Sequence, residues 1–188
     1  MADTSDFKNG LCIELDGKLY TIVNFLHVKP GKGPAFVRTK LKNLENGKTI
    51  DYNFHGDVKV KTVRIERRQY QYLYREDESF VFMNCETYDQ INIEPSLINN
   101  YDLMKEGQLA DITFHAETEK PLQLELPPYV ELEVTYTEPG VKGDTATNAM
   151  KPATVETGAT VMVPLFINAG ERIRIDTRDR SYGERIKQ

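Results

Sequence analysis

The sequence has few of the residues, and none of the long apolar runs, that whole classes of protein require. Its 188 residues include two cysteines and three histidines. No apolar run approaches the ~20 residues that a membrane-spanning helix needs. Residues 1–6 are polar and acidic, unlike the start of a signal peptide. We therefore expect a cytoplasmic protein that makes no contact with a membrane.

Residue patterns typical of catalytic and metal sites are missing too. Cys12 and Cys85 belong to no C-x-x-C pattern and stand among strand-like residues, which favours buried cytosolic thiols. His27, His55 and His115 are far apart in sequence, with no H-x-H or H-E-x-x-H spacing. The sequence also lacks a G-x-S-x-G elbow and a phosphate-binding loop. We therefore expect neither an enzyme nor a metal or other cofactor.

Short strands with alternating apolar residues account for most of the chain. The hydrophobic share of 39% and the charged share of 28% suit a folded protein. In residues 1–64, strand-like runs flank Asp16-Gly17 and Asn46-Gly47, two pairs typical of β-hairpins, and no helical pattern interrupts them. This part of the sequence predicts a small, strand-only barrel.

A second group of strands fills residues 65–127. Tyr70, Tyr72 and Tyr74 alternate with other residues along one strand. Such a stripe can stack nucleic-acid bases, but its period of two and its acidic neighbours favour core packing. A helix is expected over residues 95–107, because apolar residues recur there at helical spacing between a proline start and a glycine stop.

A third group of strands follows Pro127-Pro128. Residues 128–188 alternate in the same way, on either side of a long loop of small residues. Groups of about five short strands, one with an inserted helix, are typical of partly open five-stranded barrels. We therefore predict an all-β protein of three consecutive small barrels, with domains 1–64, 65–127 and 128–188.

Charge is distributed unevenly over the three predicted domains. Lys and Arg outnumber Asp and Glu by 4 in residues 1–64, whereas Asp and Glu lead by 8 in residues 65–127 and by 1 in residues 128–188. A basic domain on an acidic body indicates that one end meets a polyanion. A protein that coats nucleic acid along its whole length would not have this distribution.

The most unusual stretch joins two predicted strands at residues 20–27 and 35–41. It contains Pro30-Gly31-Lys32-Gly33-Pro34. Glycine tolerates the positive φ of a tight tip, and each proline fixes its own φ and stiffens one shoulder of the loop. An ordinary hairpin with a solvated lysine would fit these residues alone. The alternative is a loop built to present Lys32.

Motifs at both ends of the chain match those of one known family. The N-terminal match is Pro30-Gly31-Lys32-Gly33. The C-terminal match consists of Lys151-x-Ala153, Gly158, Val161-x-Val163-Pro164, Ile167 and Gly170, with the shorter motifs Val141-Lys142-Gly143-Asp144-Thr145 and Asp176-Thr177-Arg178. The chain thereby resembles bacterial elongation factor P, which is related to the eukaryotic and archaeal factor 5A. The resemblance covers essentially the whole chain.

The resemblance implies both a fold and a function. The fold would be an SH3/KOW-like barrel followed by two OB-fold barrels, with one short helix in the middle barrel. Family members are translation elongation factors that mimic the shape of tRNA and bind both ribosomal subunits between the peptidyl and exit tRNA sites. They stimulate peptide-bond formation and relieve stalling at consecutive prolines. A monomer is expected.

The resemblance also implies roles for individual residues. Lys32 would reach the CCA end of the peptidyl-tRNA. The residues that form the tip with it are Pro30, Gly31, Gly33 and Pro34. Gly143 and Asp144 would approach the mRNA codon in the exit site. Tyr182 and Arg185 would contact the tRNA near its anticodon end.

Two positions depart from the family pattern. Arg180 stands where the family often has glycine, which puts the C-terminal contacts in question, and Pro34 stands where many members have a polar residue. Many members also carry a covalent extension on the tip residue. Lys32 is therefore a candidate modification site for a lysine-modifying enzyme, whereas rhamnosylation requires arginine and is excluded.

Two other classes of protein stay open on the sequence. A non-ribosomal RNA- or DNA-binding protein built of small β-barrels would need a continuous basic face, and the acidic middle domain argues against one. A small all-β enzyme would need a clustered metal or nucleophile site, and the scattered histidines argue against that.

Overall fold

The computed structural model describes residues 1–56, 58–140 and 149–187. Within them the chain forms three five-stranded β-sheets. The helices described are three 3-10 helices of three residues each, Thr4–Asp6, Pro95–Leu97 and Tyr101–Leu103. The predicted all-β fold class is confirmed. None of the helices in these residues has the length and apolar character to cross a membrane.

Packing divides the chain into two compact units. One consists of Met1–Arg68 with Ile112–Gln123, and the other of Gln69–Asp111 with Leu124–Gln188. The predicted domain boundaries at residues 64/65 and 127/128 stay predictions.

Residues 12–62 form the first sheet. Its strands are β1 Cys12–Leu15, β2 Lys18–Val28, β3 Phe36–Asn43, β4 Thr49–His55 and β5 Lys61–Thr62. They lie in the order β4-β3-β2-β1-β5, and neighbouring strands are antiparallel. Ile13, Ile22 and Leu41 are fully buried at the centre of its core.

The β1–β2 hairpin shows why the sequence predicts this sheet well. Asp16 and Gly17 both have positive φ, at 51° and 73°. A two-residue turn with positive φ at both positions matches the right-handed twist of the strands, and Asp-Gly is a favoured pair for it. The predicted hairpin is therefore confirmed.

The second sheet consists of β6 Ile65–Glu76, β7 Ser79–Asn84, β8 Gln90–Ile93, β9 Leu109–His115 and β10 Lys120–Glu125, in the order β10-β9-β6-β7-β8. Tyr70 and Tyr72 are buried, as core packing predicts, but Tyr74 is 44% exposed. A register shift between Tyr72 and Tyr74 breaks the alternation there. The prediction is thus right for two of the three rings.

The predicted helix over residues 95–107 is wrong. Two separate 3-10 turns, Pro95–Leu97 and Tyr101–Leu103, take its place. Ile98 between them is extended and forms a bridge with Leu124, and Asn100 is left-handed, with φ of 55°. Apolar residues three apart suit a 3-10 turn as well as an α-helix, so the spacing did not distinguish them.

The third sheet consists of β11 Tyr129–Thr137, β12 Met150–Val155, β13 Thr160–Pro164, β14 Arg172–Asp176 and β15 Tyr182–Ile186. Its order is β13-β12-β11-β14-β15. Alternate side chains of these strands form one buried cluster, which Leu103 of the preceding 3-10 turn completes.

Both free cysteines, Cys12 and Cys85, are half-buried rather than fully buried, which corrects the prediction of buried thiols.

A five-residue turn of the same geometry occurs three times in the residues that the structure describes. Its first residues are Asn43, Asn84 and Asp176, and its fifth residues are Gly47, Tyr88 and Arg180. In each turn the fifth N–H donates to the first carbonyl, at 2.9 to 3.0 Å, and the first side chain accepts from the third N–H. The fifth residue has φ between 63° and 69°. A residue other than glycine occupies such a position at a cost of about 1 kcal/mol.

Candidate functional site

The Lys32 loop is the tip of the β2–β3 hairpin. The two strands stay paired as far as Val28 and Phe36, and residues 29–35 form the tip. Every one of these seven residues is exposed. The loop therefore begins immediately at the end of a paired, stiff ladder.

The two glycines of the tip have different conformations. Gly33 has φ of +116°, and a Cβ built on it would lie 3.8 Å from Cγ of Pro30. Gly31 has no positive φ, and a Cβ there would meet nothing within 4 Å. The left-handed geometry expected of this loop is thus present at Gly33, where the chain folds back towards the first proline.

The Lys32 side chain forms no hydrogen bond or ion pair with any residue that the structure describes. Two other lysines of the first unit are paired: the Lys61 amine lies 2.8 Å from Glu14, and the Lys120 amine lies 3.2 Å from Glu45. An exposed ammonium keeps its three donors for a partner outside the protein. The tip thus presents an uncommitted positive charge between its two glycines, with a second exposed lysine, Lys29, at its shoulder.

Aromatic pairs hold the base of the loop. The rings of Phe25 and His27 meet edge to face at 5.7 Å, and the rings of Phe36 and His55 lie 5.5 Å apart. His55 is the register partner of Phe36, and His27 is that of Val37. His55 therefore packs against β3 from β4, whereas the Phe25–His27 pair lies within β2.

A row of basic side chains lies along β3. Arg38, Lys40 and Lys42 are exposed, and the residues between them, Thr39 and Leu41, are buried. Alternate residues of a strand lie about 7 Å apart on one face. The excess of positive charge in residues 1–64 was expected from the sequence, but this row within it was not, although the alternation along β3 contains it.

In the C-terminal part, Gly143 and Asp144 lie outside the described residues. The segments on either side are well anchored. The buried Lys151 amine donates to the Glu138 carbonyl at 2.6 Å. A Cβ on Gly140 would lie 2.7 Å from the carbonyl oxygen of Leu165, so the two backbones are in close contact.

Tyr182 and Arg185 come together on β15. Tyr182 is half-buried against the third core, and burial is the main cause that raises the pKa of its hydroxyl. Arg185 donates to Glu171 at 3.0 Å. Its guanidinium carbon lies 5.8 Å from the ring centroid of Phe166, a residue that the sequence analysis missed.

Arg180 is held within its own unit. Its two terminal nitrogens donate to the two carboxylate oxygens of Asp102, both at 2.8 Å, and one also reaches the Thr160 carbonyl at 3.2 Å. Its φ of 63° explains why glycine suits this position. Arg180 is therefore committed to Asp102, and Arg185 does not share its partners.

The described residues contain no group of three or more His, Cys, Asp or Glu side chains that could hold a metal ion. What they do contain is three small β-sheets, one of which presents an uncommitted lysine on a stiff tip. This combination defines a protein of the KOW and OB barrel class, and comparison with known proteins agrees.

Three family models cover the chain. They are the elongation factor P KOW-like domain over residues 3–60, the elongation factor P OB domain over residues 65–123, and the elongation factor P C-terminal domain over residues 130–185. The chain belongs to the elongation factor P family, and it is accordingly a translation elongation factor.

Relatives and solved structures support the same assignment. The chain is 57% identical over 188 residues to elongation factor P 1 of Porphyromonas gingivalis, with both chains fully covered. It is 58% identical over 187 residues to elongation factor P of Amoebophilus asiaticus, covering 100% of this chain and 98% of the relative.

Among solved structures, eukaryotic translation initiation factor 5A from Methanococcus jannaschii matches with a TM-score of 0.50 and 20% identity, covering 67% of this chain and 90% of that one. A translation initiation factor 5A family protein from Naegleria fowleri matches with a TM-score of 0.51 and 16% identity, covering 66% and 96%. These two likenesses concern the fold alone.

Proposed function

We propose that the protein binds the ribosome between the peptidyl and exit tRNA sites and stimulates peptide-bond formation at consecutive prolines. In this proposal Lys32 contacts the CCA end of the peptidyl-tRNA. The observation that carries it is the uncommitted, exposed Lys32 at the end of a paired hairpin, in a chain of the elongation factor P family. The protein itself would catalyse no covalent step.

The physical role of such a lysine is to position a reactant. Proline is a constrained and poorly placed reactant, so fixing the geometry of the peptidyl-tRNA lowers the barrier through orientation. An ammonium on a stiff loop can donate hydrogen bonds to the tRNA backbone without transferring a proton. Pro30 and Pro34 reduce the ordering cost of placing the charge.

The basic row of β3 would supply the adjoining contacts. Arg38, Lys40 and Lys42 alternate outward along the strand that leaves the tip. Cations spaced in this way suit the sugar–phosphate backbone of an acceptor arm, which they contact without reading its sequence. Such contacts would hold the tip in register on the tRNA.

The C-terminal residues would contact RNA as well. Gly143 and Asp144 are proposed to approach the mRNA codon in the exit site, because small residues let a backbone come close to base edges. Tyr182 and Arg185 are proposed to contact the tRNA near its anticodon end. The monomeric state and the cytoplasmic location are parts of the same proposal. Lys32 is the residue on which a lysine-modifying enzyme would act, and the intact mass of the native protein tests whether one does.

Translation of a three-proline reporter in a purified system tests the function. Wild-type protein should accelerate this reporter and barely change a proline-free control. Lys32→Ala should lose most of the acceleration, whereas Lys18→Ala should keep it. Lys18 is an exposed lysine at the other end of β2, so its variant removes the same charge away from the tip.

Equal acceleration of both reporters, or full activity of Lys32→Ala, would overturn the proposal. The basic row also favours a second candidate, a non-ribosomal RNA- or DNA-binding protein. That candidate predicts salt-dependent binding to isolated RNA as tight as binding to whole ribosomes. Parallel titrations of both ligands at two salt concentrations distinguish the two functions.

A further inference from the structure

We infer that Phe166 is a stacking platform for an unpaired RNA base, supported by Arg185. The inference rests on the proposed function, because it needs the ribosome or its tRNA as the source of the RNA. It adds a binding residue and names its ligand class, a single unstacked nucleobase.

Phe166 is held outward by its surroundings. The ring is 58% exposed, although the next residue, Ile167, is fully buried in the third core. The Ile167 N–H donates to the Pro164 carbonyl at 3.1 Å, and the Asn168 side chain donates to the Phe166 carbonyl at 3.2 Å. The turn is therefore fixed on both sides of an aromatic ring that stays in contact with water.

Glu171 links this turn to β15. One of its oxygens accepts from the backbone N–H of Asn168 at 2.8 Å, and the other accepts from Arg185 at 3.0 Å. The carboxylate thereby places the guanidinium beside the Phe166 ring, 5.8 Å from its centroid. Arginine carries five N–H donors, and this one uses a single terminal nitrogen for Glu171.

The chemistry of the pair favours a nucleobase. Every base has a π-face that can stack on an aromatic ring, and a guanidinium beside the ring adds attraction for the base and for its phosphate. The turn continues with Asn168, Ala169 and Gly170, which are polar or small and exposed.

The position of the ring agrees with this ligand. Arg185, which is proposed to contact tRNA, lies beside it. Leu165, the residue before the ring, is in close contact with Gly140. Phe166 thus lies beside a residue that the proposed function assigns to RNA.

The test uses four variants of the full chain on programmed ribosomes that carry peptidyl-tRNA. Phe166→Ala should raise the concentration for half-maximal rescue by about 5-fold or more, since stacking on one ring is worth that much. Phe166→Leu should do the same, because it keeps apolar bulk but not the π-face. Phe166→Tyr should behave as wild type. Tyr136→Ala is the matched control, an exposed aromatic ring of β11 that is 63% exposed.

The maximal rate at saturating protein should stay unchanged in all four variants, because Phe166 is not part of the tip. Melting curves check that each variant is folded. In a second measurement, Phe166→p-benzoylphenylalanine is irradiated on the ribosome. We expect a cross-link to RNA, and a cross-link to ribosomal protein alone would overturn the inference.

The inference and the proposed function fail in different ways. If wild-type protein neither binds ribosomes nor rescues the proline reporter, the proposed function fails and the inference with it. If wild-type protein rescues, and Phe166→Ala and Phe166→Leu match it at every concentration, only the inference is overturned.

Discussion

The ion pair between Arg180 and Asp102 allows a quantitative test of how a left-handed residue is tolerated. Arg180 is the fifth residue of its turn, with φ of 63°. Its guanidinium meets both oxygens of Asp102 at 2.8 Å, and the two side chains are 34% and 36% exposed. Backbone strain and a charge pair therefore act in opposite directions at one residue.

The two contributions are of similar size. A bidentate pair that is about one-third exposed contributes about 1 kcal/mol after solvent screening. The left-handed backbone costs a non-glycine residue about 1 kcal/mol. Arg180→Gly should remove both, so the free energy of unfolding should change by less than about 0.5 kcal/mol. Arg180→Ala should lose the pair and keep the strain, which lowers the Tm by about 3 °C for a chain of this size.

Calorimetry on a double-mutant cycle measures these values. Asp102→Ala should lower the free energy of unfolding by about 1 kcal/mol in the wild-type background. In the Arg180→Gly background the same substitution should change it very little. Tyr88→Gly is the matched control, because Tyr88 holds the same turn position at φ of 64° and is 70% exposed. It should gain stability, since it relieves strain without breaking an ion pair. Equal melting temperatures for Arg180→Gly and Arg180→Ala would refute the reasoning.

Three further predictions follow from single contacts. The pKa of Asp176 is lowered to about 2, first by its ion pair with Arg178 and then by the Arg178 N–H. Because this pKa lies below that of the unfolded chain, its stabilising effect is complete above about pH 4 and disappears as the pH falls towards 2. The urea midpoint should therefore fall more steeply with acid in wild type than in Asp176→Asn, and parallel curves would contradict this. Gly140→Ala should lower the Tm by several degrees, because its Cβ would lie 2.7 Å from a backbone oxygen, whereas Gly31→Ala has open space and should not. Pro34→Gln should weaken rescue of the proline reporter, because it removes the second proline that stiffens the tip.

Much of the fold follows from local patterns, and the errors arise where distant residues decide. Period-two alternation and the Asp16-Gly17 pair predict strands and a hairpin because both act between near neighbours. The 95–107 segment was predicted wrongly because its conformation depends on Ile98 pairing with Leu124, which no local spacing encodes.

The same distinction applies to the candidate site. The tip with Lys32 could be predicted, since glycine and proline fix its geometry within five residues. The partner of Arg180 lies 78 positions earlier in the chain, so its commitment to Asp102 is visible only in the structure. Phe166 could not be predicted as a site residue because an aromatic residue after a strand is normally part of the core. In the structure Ile167 occupies the core instead, and the Phe166 ring faces water.

The second proline of the tip bears on whether Lys32 works unmodified. Gly33 folds back so that its Cβ position is 3.8 Å from Pro30, and Pro34 fixes the next φ. A proline at a compatible position removes about 0.4 to 1 kcal/mol of chain freedom in advance. A loop ordered in this way has less need of a long covalent extension to hold the lysine in place.

We therefore predict that Lys32 is a bare lysine, and that Pro34→Gln raises the concentration for half-maximal rescue by about 2- to 5-fold. Ala35→Gln is the control, because it places the same polar side chain on the next exposed residue and keeps the Pro34 ring intact. Intact mass of the protein from its native cells, followed by peptide mapping, checks the first statement, and a mass increase localised to Lys32 would refute it. If the mass shows no modification and Pro34→Gln rescues as well as wild type, then the Pro34 ring does not pre-order the loop. In that case Lys32 must be held in place by the ribosome itself.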